Sequence, residues 1–299
     1  MNRQTLRLLP FWARALCFGA SLALASLYVG AEPDNTRTVT YPGFPRDSYL
    51  IAVLEQALSY SKQTTYQVSA LGADLPKERS FALLGEENGL DVVMGTCTKD
   101  RAKMGRPVHF PLFRGGNGMR VALVHEQRAD ILREVRRIED LDRLVVGQFH
   151  SWSDTKILRS NGLRVFGGSD VQGLYQMLHK QRIDYFLRSV LEIEQDLSRQ
   201  MPLDLRIDSH LLVQYPSAYY FFVDQGDDEL ADALLSGLQQ SLADGSFLRL
   251  FNSSFADRLE RLQLGHRHLI ELSNPLLCEG VPLKNQALWL KADTATISE

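Results

Sequence analysis

Long apolar runs are scarce in this chain. Only residues 15–25 are continuously apolar, and no stretch after them approaches the roughly 20 residues a membrane-spanning helix needs. Cysteine is scarce too, with three in 299 residues: Cys17 inside that run, and the widely separated Cys97 and Cys278. So few exclude a disulfide-dense scaffold. Cys97 and Cys278 can pair in an oxidising compartment or stand as two buried thiols, and spacing does not choose between these. A basic excess is also missing, since 33 Lys and Arg face 36 Asp and Glu. That argues against nucleic acid as a partner, because phosphate binding calls for a basic face. No G-x-S-x-G, H-E-x-x-H or C-x-x-C occurs, and the histidines are scattered. No catalytic, metal-ligating or cofactor-binding residue is assigned on these grounds.

What is present is an ordinary globular composition, 44% hydrophobic and 23% charged. Arg3, Arg7 and Arg14, with no acid among them, precede the apolar run, and Val29-Gly30-Ala31 follows it before Glu32. This is the pattern of a cleavable export signal over residues 1–31. Leu16 before Cys17 is not the small residue that a lipid anchor shows. Removal of three arginines leaves 30 basic residues against 36 acids, a net charge of about −6. The remaining length exceeds what one compact core usually organises, so two lobes are expected.

After the signal the pattern reads strand (38–41), helix, strand (66–69), helix (76–88), strand (92–94). Asp47 or Ser48 can cap the first helix, whose Leu50, Ile51, Val53, Leu54, Ala57 and Leu58 recur at helical spacing. This order predicts a mostly parallel sheet with covering helices. Residues 119–124 and 212–223 are extended runs long enough to pass between lobes. Between them the same logic restarts, with helices at 129–135 and 171–180 and strands at 144–148, 164–167 and 182–189. Beyond them come a helix at 229–242, a short helix at 247–251 and a strand in 269–276.

Ligands of open α/β sheets gather at the carboxyl ends of strands. Tyr41, Thr96, Thr98 and Arg101 fall there. A guanidinium at Arg101 can grip a carboxylate by two parallel hydrogen bonds, or merely pair with Asp100. In the second half, Ser151, Ser153 or Asp154 can cap a helix whose free N–H groups favour an anion. Trp152 can lie against a planar part of a ligand or brace its loop. Arg114 and Arg188, with Arg106 and Arg120, stand in cleft or hinge segments and tilt the expectation toward an anionic ligand.

Several segments carry a family resemblance. They are Asp91-Val92-Val93-Met94-Gly95 with Thr98-Lys99-Asp100-Arg101, Phe110-Pro111-Leu112-Phe113 before Gly118, Ile138-Glu139-Asp140-Leu141 to Val146-Gly147, Arg182-Ile183-Asp184-Tyr185-Phe186, and Leu242-Ala243-Asp244-Gly245-Ser246-Phe247. Together they resemble the type II periplasmic solute-binding proteins, especially the amino-acid-binding (family 3) proteins of ABC importers. Asn274-Pro275 and Trp289 resemble a branch with an extended tail. The resemblance implies an α/β fold of two lobes, each a mostly parallel sheet flanked by helices, joined by a two-strand hinge. The expected division is 32–122 for the first part of lobe 1, 123–217 for lobe 2, and 218–299 for the rest of lobe 1 with a C-terminal extension.

The resemblance also implies that Arg101 binds the ligand carboxylate and that Ser153 stands near the second-lobe hydroxyl. The family's aspartate for an α-amino group is not matched; its position reads about Ser189, beside Arg188. The implied function is periplasmic binding of a small anionic or amino-acid-like solute by lobe closure, for delivery to an ABC-type importer. A monomer without cofactor or enzymatic activity is expected, its partners a solute and a membrane permease or sensor protein. Alternatives are an orphan ligand sensor acting on a membrane receptor, or a dehydratase-like cleft enzyme.

Overall fold

The computed structural model describes residues 35–45, 48–200 and 202–292, so the export signal and Asp47 lie outside the described residues. In chain order the elements begin β1 (Thr36–Tyr41), α1 (Tyr49–Ser59), β2 (Thr65–Ala70), α2 (Lys77–Ala82), β3 (Val93–Thr96), α3 (Arg101–Met104) and β4 (Arg106–Pro107). Next come β5 (Met119–His125), β6 (Val145–Phe149), α4 (Ser153–Ser160), β7 (Arg164–Gly168), α5 (Val171–His179), β8 (Tyr185–Ser189), α6 (Ile193–Arg199), β9 (Leu205–Ile207) and β10 (Leu211–Gln214). Last are β11 (Tyr219–Val223), α7 (Asp228–Ala243), α8 (Ser246–Leu262) and β12 (His268–Glu271). No helix among the described residues is long and apolar enough to cross a membrane.

Two groups of strands result. In the first, β1 and β2 run parallel, the Thr40 carbonyl accepts from the amides of Asp91 and Val92 ahead of β3, and β11 pairs antiparallel with β3 and β4. In the second the order is β12-β10-β5-β8-β6-β7, with β9 also on β5. The βα units β6–α4–β7 and β7–α5 toward β8 are parallel; the strands that cross between groups, β5 and β11, join antiparallel. The expected mixed α/β class therefore stands, with helices covering the sheets.

The two crossings run side by side. Tyr215 donates its amide to the Gly118 carbonyl at 3.1 Å, and Asn117 Nδ2 donates to Ser217 Oγ at 2.8 Å. A Cβ on Gly118 would stand 2.2 Å from the Tyr215 carbonyl, so only glycine allows this approach.

Local chemistry explains the helices. Ser48 caps α1, and Val53, Leu54, Ala57 and Leu58 form a buried stripe clustered with Leu230, Leu234 and Leu238 of α7. Asp170 caps α5 through the amides of Gln172 and Gly173. Asp244 joins α7 to α8 by accepting from the Ser246 amide at 2.8 Å and from the Tyr60 hydroxyl. The Tyr60 hydroxyl, and then Ser246, hold its carboxyl down to about 2. A depressed carboxylate stabilises above the unfolded aspartate range near ~3.9 and loses that contribution as pH falls through its folded value. Asp244→Asn is expected to lower Tm at neutral pH, with the difference from the parent vanishing between about pH 4 and pH 2. A Tm difference that stays constant across that window would refute this role.

Three sequence expectations are corrected. Residues 129–135 form no α-helix: the amides of Ile131, Arg133 and Val135 bond to carbonyls three residues back, in tight turns that still bury Leu132 and Val135. The helix expected over 76–88 stops at Ala82, because the chain bends back at Gly85 and Asn88, both at positive φ. The short helix expected at 247–251 runs on to Leu262, since Phe247, Phe251, Phe255, Leu259 and Leu262 keep one buried face. Cys97 and Cys278 are disulfide-bonded, with Cα atoms 5.5 Å apart.

Candidate functional site

A cleft of about 490 Å3 opens between the carboxyl end of β3, the start of β5, the loop before α4 and the end of β8. Of the residues named from sequence, Thr96, Arg101, Ser151, Trp152, Ser153 and Arg188 all line it. Strand ends and a helix start bring them together, as expected for an open α/β sheet.

Arg101 opens α3, its amide bonded to Thr98 Oγ1 at 3.2 Å. Its Nη1 donates to the Thr96 carbonyl at 3.2 Å, and the guanidinium lies 5.8 Å from the Phe81 ring centroid. Among the described residues it has no carboxylate partner, so the alternative pairing with Asp100 is absent. The loop before α4 also lines the cleft. There the hydroxyls of Ser151 and Ser153 and the amides of Ser153 and Asp154 have no protein partner among the described residues. Ser153 is the first residue of α4, and the cap position holds Trp152, whose side chain makes no capping bond. Hydroxyls, first-turn amides and a guanidinium thus line one space, the donor set an anion takes.

The other two cleft arginines are already neutralised. Arg120 forms a buried ion pair with Asp154; Tyr215 donates its hydroxyl hydrogen to Asp154 and accepts from Arg120 Nε at 3.0 Å. Burial pulls the Arg120 pKa down, but the Asp154 charge more than reverses this and raises it. Burial pushes the Tyr215 hydroxyl well above its usual range, so it stays protonated as a donor. Arg188 donates from Nε to Asp196 at 2.5 Å and from Nη2 to Glu192 at 3.0 Å, and its guanidinium covers the Trp152 ring at 4.7 Å. Trp152 lines the cleft, and one face of its ring is taken up by Arg188.

Three named residues fall outside the cleft. Tyr41, at the end of β1, is 4% exposed and packs in the core with Val39 and Leu54, its ring committed before any ligand arrives. Thr98 is occupied in capping Arg101 and lines a neighbouring hollow of about 330 Å3, with Lys99, Lys156 and Leu276. Arg114 sits at positive φ beneath the C-terminal tail, its carbonyl accepting from the Leu290 amide at 2.7 Å and its guanidinium over Phe251 at 5.4 Å. Burial lowers its pKa, and its Nε has no partner among the described residues.

Sequence reasoning passed over Lys77, Glu78, Glu192 and Tyr219, which also line the cleft. Glu192 had one signal, its place four residues after Arg188. Ser189 is buried and donates to the Gly116 carbonyl at 3.2 Å, fastening the first crossing rather than facing solute. Elsewhere His125, His179 and Asp204 offer ligand atoms within 4.8 Å of one another. Both Nδ1 atoms already accept backbone hydrogens, from Gln127 at 3.1 Å and Asp204 at 3.2 Å, which leaves the ring protons on Nε2.

No family model and no curated protein sequence matches the chain. Solved structures do. The probable amino-acid ABC transporter extracellular-binding protein ytmK from Bacillus subtilis is 14% identical, with TM-score 0.53 over 74% of this chain and 99% of that one. A histidine kinase sensor domain with similarity to periplasmic binding proteins is 16% identical, with TM-score 0.51 over 74% and 97%. The ancestral amino acid-binding protein AncCDT-1, a precursor of cyclohexadienyl dehydratase, is 15% identical, with TM-score 0.51 over 74% and 95%. The fold is therefore that of the two-lobed type II periplasmic binding proteins, as the sequence resemblance implied.

Proposed function

We propose that the protein binds a small anionic or amino-acid-like solute between two lobes that close on it, for delivery to an ABC-type importer. One observation carries this reading. Among the described residues, Arg101 presents a guanidinium without a carboxylate partner to a cleft also lined by unpartnered hydroxyls of Ser151 and Ser153. The lobes on this reading are 32–122 with 218–299, and 123–217, except that β12 pairs with β10 in the second strand group, and the hinge is the adjacent pair of crossings at Gly118 and Tyr215. The chain works in the periplasm as a monomer after removal of residues 1–31. Closure excludes water and strengthens each polar contact to the solute.

Binding without chemistry is favoured because two of the three carboxylates lining the cleft are already engaged, Asp154 by Arg120 and Tyr215, Glu192 by Arg188, which leaves Glu78 as the lining carboxylate without a hydrogen-bond or ion-pair partner among the described residues. A general base would have to be free to take a proton. The likeness to a histidine kinase sensor domain supports a second reading, in which the closed form acts on a membrane receptor. Native mass spectrometry of protein purified from its own periplasm is expected to show a noncovalent adduct of a few hundred daltons, lost on denaturation. Incubation with the released compound is expected to give no new product; turnover would replace the binder reading with the enzyme.

A further inference from the structure

The cleft's charges and donors narrow what it takes. Lining residues include the cations Lys77, Arg101, Arg120 and Arg188 and the acids Glu78, Asp154 and Glu192. Arg120 is matched by Asp154 and Arg188 by Glu192, while Lys77, which donates to the Met94 carbonyl at 2.7 Å, and Glu78 cancel in formal charge. Arg101 is left over, a single positive charge. Asp196, not a lining residue, holds Arg188 from its Nε side.

The hydrogen-bonding groups are unbalanced in the same sense. Arg101 spends only Nη1, and Arg120 and Arg188 each leave Nη1 without a protein partner among the described residues. The hydroxyls of Thr96, Ser151 and Ser153 add further unspent groups. Apolar lining is limited to Pro76, Trp152 and Tyr219, and Arg188 already covers one face of Trp152. An ammonium group entering beside Arg120 or Arg188 would meet a guanidinium and a carboxylate already committed to it, and like charges at that range repel.

We infer that the solute is an oxygen-rich monocarboxylate, a hydroxy, oxo or polyhydroxy acid, and not an α-amino acid; this rests on the reading of the cleft given above. Its carboxylate takes Arg101 and the α4 amides, and its hydroxyl or carbonyl oxygens accept from Arg120 and Arg188.

The test is a thermal-shift screen of the purified chain, followed by calorimetry. One panel holds the standard L-α-amino acids; the other holds 2-hydroxy, 2-oxo and polyhydroxy monocarboxylates, among them L-lactate, pyruvate and D-gluconate, with D-glucose as the uncharged control. The expected result is an acid that binds at least about tenfold tighter than its α-amino counterpart. Arg188→Lys, which keeps the charge but loses the planar fork, should weaken that acid by about tenfold. Should Arg188→Lys unfold, Thr96→Val, which removes one hydroxyl at the same cleft, is expected to weaken it severalfold. Binding confined to amino acids, and lost in Arg101→Ala, overturns this inference while leaving the cleft reading intact. An acid that binds equally well to Arg101→Ala overturns the cleft reading itself. A response to neither panel overturns the inference.

Discussion

Arg101→Ala is expected to weaken solute binding by a hundredfold or more while leaving the fold in place. Losing a charged fork on a carboxylate removes two hydrogen bonds of about 1.5–3 kcal/mol each, and 1.4 kcal/mol is a factor of ten. The cost to folding is small by comparison. The side chain makes one hydrogen bond to the Thr96 carbonyl and one contact with Phe81, and frees no buried carboxylate when removed. A shift of at most about 1 kcal/mol in urea denaturation is expected. Calorimetry with the co-purified compound measures the first effect and chemical denaturation the second. Unchanged affinity would move the anion site elsewhere. The contrast with Arg188 sharpens the test. Truncating Arg188 strands the side chain of Asp196, only 14% exposed, so Arg188→Ala should lose stability as well as binding.

That contrast also marks what was legible in the sequence. Arg101 could be found because it follows a buried strand at a fixed, short offset, and strand ends of this kind define ligand edges. Ser151, Trp152 and Ser153 could be found because small polar residues after a strand mark a helix start, although the residue at the cap of α4 is Trp152 and makes no side-chain capping bond. Arg114 and Tyr41 were equally visible as residue types, yet whether a guanidinium or phenol faces a cleft or a core depends on contacts far away in the chain. Arg114 lies against Phe251 and beneath the backbone of Leu290, and neither pairing leaves a local trace. Asp154 reads locally as a helix cap; its commitment to Arg120 and Tyr215 spans separations that no periodicity encodes. The strands with strong alternation or apolar runs were evident, while β9 and β4, three and two residues long, fall below any such signal.

The C-terminal tail is where distant contacts matter most, and it carries the remaining large effect. β12 pairs in parallel with β10 of the second strand group. Ten residues or fewer later, Leu276 and Leu277 lie against the loop after β3: the Lys99 amide donates to the Leu276 carbonyl at 3.0 Å, Thr98 bridges to Leu277, and Cys278 is bonded to Cys97. One short segment thus links both groups, and its covalent end is fixed at Cys97, one residue before Thr98, whose Oγ1 accepts from the Arg101 amide. The bond joins residues 181 apart in sequence, so it closes a long loop in the unfolded chain. Loop-closure entropy assigns such a cross-link up to about 5 kcal/mol, and removal of native disulfides typically costs about 2–5 kcal/mol. The Cys97→Ser, Cys278→Ser double variant is expected to lose that much in urea denaturation. It should also bind solute severalfold more weakly, chiefly through faster release, because the loop that presents Arg101 loses its anchor. Reductant should reproduce both effects in the parent protein and neither in the double variant. Equal urea midpoints for parent and variant would mean that β12 and the Leu276 contact hold the tail unaided, and that the bond adds nothing to the site.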